Sequence, residues 1–346
     1  MKKQNRIRIC ACMVILGFLF ALTYSCKKSE DPPPSGPQSV NFGALLDLTV
    51  YNPDNGLATQ AAIQFALEDL NRFAAAAGRN VTFTCSFADT QMDTTVALNL
   101  MKGMVARGTS MFVASPYSST ELKALMPYVN QNPLVVINAS STSVGLNHAG
   151  SHIFRIVADD NFQAKALIRA AITEGAKAVI PIVRNDIWGN SLLQAFTAGY
   201  LAEGGFVYPG VAYDPSESSF TALAGTVNEQ VSQAIATYGA AKVKVLALTY
   251  GEITAIMNAA IPLESMGMVK WYGCDGNAQL SAVTSDEGCA AFAVKTGFMS
   301  PMTAIGSAWA TPLFTQLLSS KIAVQTGVVP GAVSYTHLTL PTKRIV

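Results

Sequence analysis

From Val40 onward, short apolar runs alternate with helical patterns roughly every 25–35 residues, and this rhythm leaves few possible folds. The runs at 42–48, 81–87, 111–114, 134–137, 179–183, 206–212, 243–248 and 269–272 are expected to be strands. Helical patterns occupy 58–77, 94–107, 119–130, 161–175, 189–204, 220–238 and 252–266. In the first of these, Ala62, Phe65, Ala66, Leu70 and Phe73 are expected on one buried face. Asp93 is expected to cap the second, which Gly108 ends. A βαβα order over this length implies an α/β fold with parallel sheets and right-handed crossovers. The rhythm breaks near 150–160 and near 290–300, so two lobes are expected, 40–155 and 156–292. Residues 293–324, with a helix around 305–320, then rejoin the first lobe.

The ends of the chain do not follow this rhythm. Lys2, Lys3, Arg6 and Arg8 precede an apolar run from Ile9 to Leu22, which gives the basic and apolar regions of a secretory signal. Fourteen apolar residues are too few for a comfortable membrane span. The run closes on Leu22-Thr-Tyr-Ser-Cys26, which resembles a loose bacterial lipoprotein cleavage box with Cys26 as the lipid-attachment residue. Residues 1–26 are therefore expected to be a signal, and the polar, proline-rich 27–39 a disordered tether. An extracytoplasmic, lipid-anchored protein follows, on the periplasmic or outer surface of a Gram-negative cell. The last residues, from Val333 to Val346, resemble translated adapter sequence. Residues 325–346 are expected to be non-native, with the natural chain continuing beyond about Gly331.

Composition fits a large buried parallel sheet, because half of the residues are apolar and only 13% are charged. Removing the four basic residues of the signal from the chain's 23 leaves 19 Lys and Arg against 22 Asp and Glu. Such a balance gives no reason to expect nucleic acid as a partner. Cys10 and Cys12 leave with the signal, and Cys85 reads as a small buried hydrophobe. Cys274 and Cys289 have the option of pairing in an oxidising compartment. No cysteine has metal-ligand spacing. His148 and His152 lack a third ligand, so no metal or other cofactor is expected. Enzyme motifs are also missing. Gly189-Asn-Ser191 runs into Leu192-Leu193 rather than a nucleophile elbow, and no phosphate loop or dinucleotide fingerprint occurs.

Four loops follow strand ends and carry small, hydroxyl-bearing or acidic residues: 115–120, 138–142, 249–252 and 273–276. Open α/β sheets bind ligands beyond the carboxyl ends of their strands. Two loops fall in each half, so a cleft between two lobes is the expected site.

The ordered motifs resemble those of the type I periplasmic binding proteins, in the leucine/isoleucine/valine branch that serves ABC importers. They are Leu46-Asp-Leu-Thr49, Asp89-Thr-Gln-Met-Asp93, Tyr117-Ser-Ser-Thr120, Asn138-Ala-Ser-Ser-Thr142, Phe154-Arg155 with Asp159-Asp160, Asp186-Ile-Trp-Gly189, Thr249-Tyr-Gly251 and Gly273-Cys-Asp-Gly276. The resemblance implies two Rossmann-like lobes joined by a multi-strand hinge. It also implies that Ser118, Ser119, Ala139, Ser140, Ser141 and Thr142 hold the carboxylate and part of the ammonium of an amino-acid ligand. Tyr250 and Asp275 would face that ammonium from the second lobe, and Trp188 would form an aromatic wall. Family members commonly carry Glu where this chain has Asp275, a change of about one methylene in reach. The implied role is a solute-binding protein, not an enzyme. It would deliver an amino acid or small amide to an ABC permease while tethered to the membrane by an N-terminal lipid. A ligand-sensing lipoprotein on the same fold is the alternative, and gene neighbours encoding a permease and ATPases would separate the two.

Overall fold

The computed structural model describes residues 36–51, 53–147, 150–278, 280–301 and 312–327. The expected signal with Cys26, most of the expected tether, His148, the first part of the helix expected around 305–320 and residues 328–346 lie outside them. Two parallel sheets form, each of five strands. The first contains β1 (Gln38–Leu46), β2 (Val81–Asp89), β3 (Met111–Val113), β4 (Val135–Asn138) and β5 (Ile153–Arg155), in the order β2-β1-β3-β4-β5. The second contains β6 (Ala178–Arg184), β7 (Phe206–Val207), β8 (Val211–Tyr213), β9 (Val243–Leu248) and β10 (Lys270–Tyr272). Its order is β10-β9-β6-β7, with β8 also paired to β6.

Helices α1 (Pro53–Ala76), α2 (Thr94–Ala106) and α3 (Ser119–Gln131) serve the first sheet. The second is served by α4 (Asp160–Thr173), α5 (Ile187–Ala202), α6 (Thr221–Tyr238), α7 (Ile253–Ala260), α8 (Ser281–Ser285) and α9 (Glu287–Thr296). The final described helix, α10 (Pro312–Thr326), packs against α1, where Ile322 meets Ala58, Ala61 and Ala62. Among the described residues no helix is long and apolar enough to cross a membrane.

Strand β9 shows why the second sheet is central to its lobe. All six of its residues are buried. Successive side chains point to opposite faces. Val243, Val245 and Ala247 thus enter one core with Trp271 and Phe292, while Leu246 and Leu248 enter another with Trp188 and Phe196.

Several expectations change. The predicted strand at 206–212 is two short strands, because Gly210 turns between them with φ 64°. A Cβ at Gly210 would lie 2.1 Å from the Pro181 carbonyl oxygen, so only glycine fits this turn. The helix predicted to reach residue 266 stops at Ala260: Ile261 still donates to the Met257 carbonyl (2.9 Å), but Pro262 has no N–H to continue the ladder. Phe73 is 71% exposed. Helix α1 instead buries small residues, with Ala58, Ala61 and Ala62 allowing close approach to α10. Cys274 and Cys289 are both free, in cores on opposite faces of the second sheet.

Candidate functional site

Each sheet has a point where the strand order reverses. In the first it lies between β1 and β3, and in the second between β6 and β9. A crevice opens beyond the strand ends at such a point. The loops there carry aromatic residues: Tyr51 and Tyr117 in the first lobe, Trp188 and Tyr250 in the second.

Local chemistry fixes these loops. Buried Asp47 accepts from the backbone N–H groups of Val50 (3.0 Å) and Tyr51 (2.9 Å) and so sets the turn that presents Tyr51. Ala114 has φ 50°, a conformation that disfavours a side chain and redirects the chain at the end of β3. Asn138 then ties two loops together, its Nδ2 donating to the carbonyls of Ser115 (3.0 Å) and Pro116 (2.6 Å). Its Oδ1 accepts from the N–H groups of Ser140 (3.2 Å) and Ser141 (2.8 Å). Asn277 does the same in the second lobe. Its Nδ2 donates to the Ala247 carbonyl (2.9 Å) and Thr249 Oγ1 (3.0 Å), and its Oδ1 accepts from the Cys274 N–H (2.9 Å). The four loops singled out in the sequence are therefore two cross-tied pairs.

The expected ligand residues stand as follows. Ser118 caps α3: its hydroxyl donates to Glu121 Oε2 (2.7 Å) and accepts from the Glu121 N–H (3.2 Å). Ser119 Oγ accepts from the Ser143 N–H (3.3 Å), bringing the start of α3 to the 138–143 loop. Ala139 is buried, and the Ser140 hydroxyl donates to the Tyr117 carbonyl (2.6 Å). Ser141 and Thr142 are buried, and the carbonyl of Thr142 accepts from the Asp160 N–H (2.9 Å). A single 3-10 turn, Val144–Leu146, follows this loop rather than an α-helix, and the N-termini of α3 and α4 both meet the loop, through Ser119 and Asp160.

Two buried hydroxyls, Thr120 Oγ1 and Ser141 Oγ, have no hydrogen-bond partner, and neither has Asp160 Oδ2. Buried polar groups are rarely left unpaired. Glu121 Oε1 is unpaired beside Thr120, and Tyr200, Tyr213, Asn228 and Thr254 carry such atoms elsewhere in the second lobe; Thr120, Ser141 and Asp160 are the ones in or next to the loops that end β3 and β4 and at the start of α4.

Across the cleft, Trp188 stacks on Tyr250 with ring centroids 4.4 Å apart, and Tyr51 meets the same ring at 4.8 Å. The Arg184 guanidinium lies 4.9 Å from the Tyr250 centroid. Arg184 is held by Asp186 (2.9 Å) and by Glu252, whose other oxygen accepts from the Tyr250 N–H (3.0 Å). The Tyr250 ring is thus engaged by protein groups, and burial pushes its phenol pKa well up. The Tyr51 hydroxyl donates to the Gly276 carbonyl (3.1 Å), and the Ser143 hydroxyl donates to the Ile187 carbonyl (3.1 Å). Both bonds join the lobes, so the cleft is closed around its own aromatic residues.

Asp275 sits behind this cluster. Its N–H donates to Gln163 Oε1 (2.7 Å), and Gln163 Nε2 donates to both Asp275 Oδ1 (2.9 Å) and Asp160 Oδ1 (3.0 Å). Burial pushes Asp275 above the usual carboxylate range. Burial first, and then the charge of Asp275, pushes Asp160 up to about 8. These groups line a cavity of about 190 Å3 with Thr142, Asp159 and Pro301. The sequence reading missed Tyr51, Asp160 and Gln163 as site residues. For the last two, the available signal was the Asp-x-x-Gln spacing in the first turn of a helix.

The Asp89-to-Asp93 motif has a structural role. Asp89 accepts from the N–H groups of Leu48 (2.9 Å) and Gln91 (3.1 Å), and Asp93 caps α2 through Thr95 (2.7 Å) and Val96 (2.8 Å). No group of three metal-ligating side chains occurs among the described residues.

A family model described as a periplasmic binding protein matches residues 39–260. An uncharacterised protein of Methanocaldococcus jannaschii is 26% identical over 275 residues, covering 78% of this chain. The chain spans 64% of that protein's length. A leucine-binding protein LivK from Thermotoga maritima superposes with a TM-score of 0.65 at 19% identity, covering 86% of this chain and 79% of that one. The branched-chain amino acid transporter substrate-binding protein LivJ from Streptococcus pneumoniae, solved with isoleucine, gives 0.66 at 16% identity, covering 87% and 81%.

Proposed function

The chain belongs to the periplasmic binding protein family, and we propose that it captures an amino acid or related small amide between its lobes for an ABC importer. The reading is supported chiefly by the orphaned hydroxyls of Thr120 and Ser141 in the first lobe, opposite a lobe that supplies Asp275. A zwitterion leaving water must have both charges paired, or desolvation costs several kcal/mol. The hydroxyls at the start of α3 suit its carboxylate, because the helix dipole favours negative charge there. Asp275 suits its ammonium through a charge-assisted hydrogen bond.

Ligand groups split between lobes make the ligand the link that holds them closed. Tyr51 already spans the gap to Gly276, so the ligand's aromatic surroundings are Tyr51, Tyr117 and Trp188, with Tyr250 buttressed from behind by Arg184. Attachment of a lipid to Cys26 and placement outside the cytoplasm complete the proposal. Mass spectrometry of the membrane fraction, with Cys26→Ser as control, tests the anchor.

Thermal unfolding of the protein against a panel of amino acids and small amides tests the binding role. A ligand at one hundred times its Kd stabilises by about 2.7 kcal/mol. No shift with any zwitterion would remove the amino-acid assignment.

A further inference from the structure

We propose that Asp160 and Asp275 form a two-carboxylate subsite that takes a ligand's N–H-bearing cationic head, an ammonium or guanidinium, in exchange for a proton held by the pair. This rests on the binding role above and specifies how the cation is recognised.

The geometry requires a held proton. One amide nitrogen, Gln163 Nε2, donates to both Oδ1 atoms, so the carboxylates lie within two hydrogen-bond lengths of each other. The orientation of that amide is fixed, because its oxygen accepts from the Asp275 N–H. Asp160 is fully buried, and its Oδ2 has no partner. Among the described residues, no Lys, Arg or His forms an ion pair with either acid.

No cation among the described residues pairs directly with either acid: Arg155 attracts Asp160 only from a distance, and the Thr142 side chain eases its ionisation without outweighing burial. Asp159 adds negative charge from the N-cap of α4. Arg155, on β5, spends its Nη1 on the carbonyls of Ser141 (3.1 Å) and Ser143 (2.8 Å). Tyr250 and Cys274, on the Asp275 side, are held neutral by burial. Two adjacent carboxylates without a counter-cation cannot both ionise cheaply, so one stays an acid.

Both amide hydrogens of Gln163 are used on Oδ1 atoms, and Asp275 Oδ1 also accepts from the Gly276 N–H (2.8 Å), which favours the carboxylate there; the buried, unpaired Oδ2 of Asp160 is then the position for the acid's proton. An arriving cation supplies the missing charge. The Oδ2–H bond then breaks with its electron pair left on oxygen, the proton passes to solvent, and an N–H of the ligand head donates to Oδ2. A head without N–H groups cannot make that bond.

Infrared difference spectroscopy of the ligand-free protein tests this directly, with methylammonium as the probe and tetramethylammonium at equal ionic strength as the control. Near neutral pH the protein should show one protonated-carboxyl C=O band that Asp160→Asn removes. Methylammonium should reduce that band by more than half, with a matching rise in free protons, and tetramethylammonium should leave it unchanged. An absent band in the unsubstituted protein overturns the proposal whether or not the variant folds. So does a band that methylammonium leaves intact, or one that both cations reduce equally. Because no zwitterion is used, failure of the amino-acid screen is read separately.

Discussion

Replacing Asp160 with asparagine should make the folded protein more stable as pH rises, relative to the unsubstituted chain. The side chain is fully buried, and its carboxyl is pushed from the ordinary 3.8 up to about 8 by burial and by the Asp275 charge. The sign follows from proton counts. Below about pH 4 Asp160 is protonated in both states, and its ionisation costs the fold nothing. Between about pH 4 and pH 8 the unfolded chain gives up this proton while the folded chain keeps it, so stability falls. The fall is at most about 1.4 kcal/mol per pH unit. Over the whole window it amounts to several kcal/mol, at most about 6.

Asparagine keeps the shape and does not titrate, so its curve lacks this loss. Urea unfolding of both proteins without ligand, from about pH 5 to about pH 8, gives the difference for the Asp160–Asp275 pair, and the titrating groups away from it cancel. The stability of Asp160→Asn minus that of the unsubstituted chain should climb by a few kcal/mol over that range. Parallel curves would refute the reasoning, since they require Asp160 to ionise in the fold as freely as in the unfolded chain.

Other substitutions read different parts of the site. Asp275→Ala should weaken binding of a zwitterion by roughly ten- to a hundredfold, the worth of a hydrogen bond to a charged group, with little change in fold; calorimetry checks this. Trp188 is buried against Tyr250 and Phe196, and Trp188→Ala should lower stability by about 3–5 kcal/mol in denaturant titration. At Gly56 a Cβ would lie 1.8 Å from the Asp47 carbonyl oxygen. Gly56→Ala should therefore cost about 1–3 kcal/mol and displace the turn that carries Tyr51, seen as a loss of affinity larger than Ala elsewhere on α1 gives.

What could be read from the sequence follows the range of the interactions involved. Strand β9 was legible because both faces are buried, so residues 243–248 are apolar except for Lys244, whose Nζ donates to the Ala241 carbonyl (2.8 Å), and the run has the bounds the fold gives it. The loops after β3, β4, β9 and β10 were legible for the same local reason, since each begins where such a run ends. In α1 bulk does not mark the buried face: Ala62 is buried while Phe73 is exposed. This helix uses alanines to approach α10, and a large side chain there would hold the two apart.

The remaining site residues depend on contacts that no local pattern encodes. Tyr51 meets Gly276 across 225 residues, and Gln163 meets Asp275 across 112. In the chain, Asp159-Asp160 reads as an acidic start to a helix, and for Asp159 that is its role, through the N–H of Asn161 (3.1 Å). Asp160 has the same side chain one position later, yet α4 turns it inward against Gln163 and toward the acid of another loop. Cap and buried acid differ only in which way one helical step points them. Asp159 is satisfied at the surface, by its own helix and by Asn147 Nδ2 (3.0 Å), whereas Asp160 carries a buried Oδ2 without a hydrogen-bond partner.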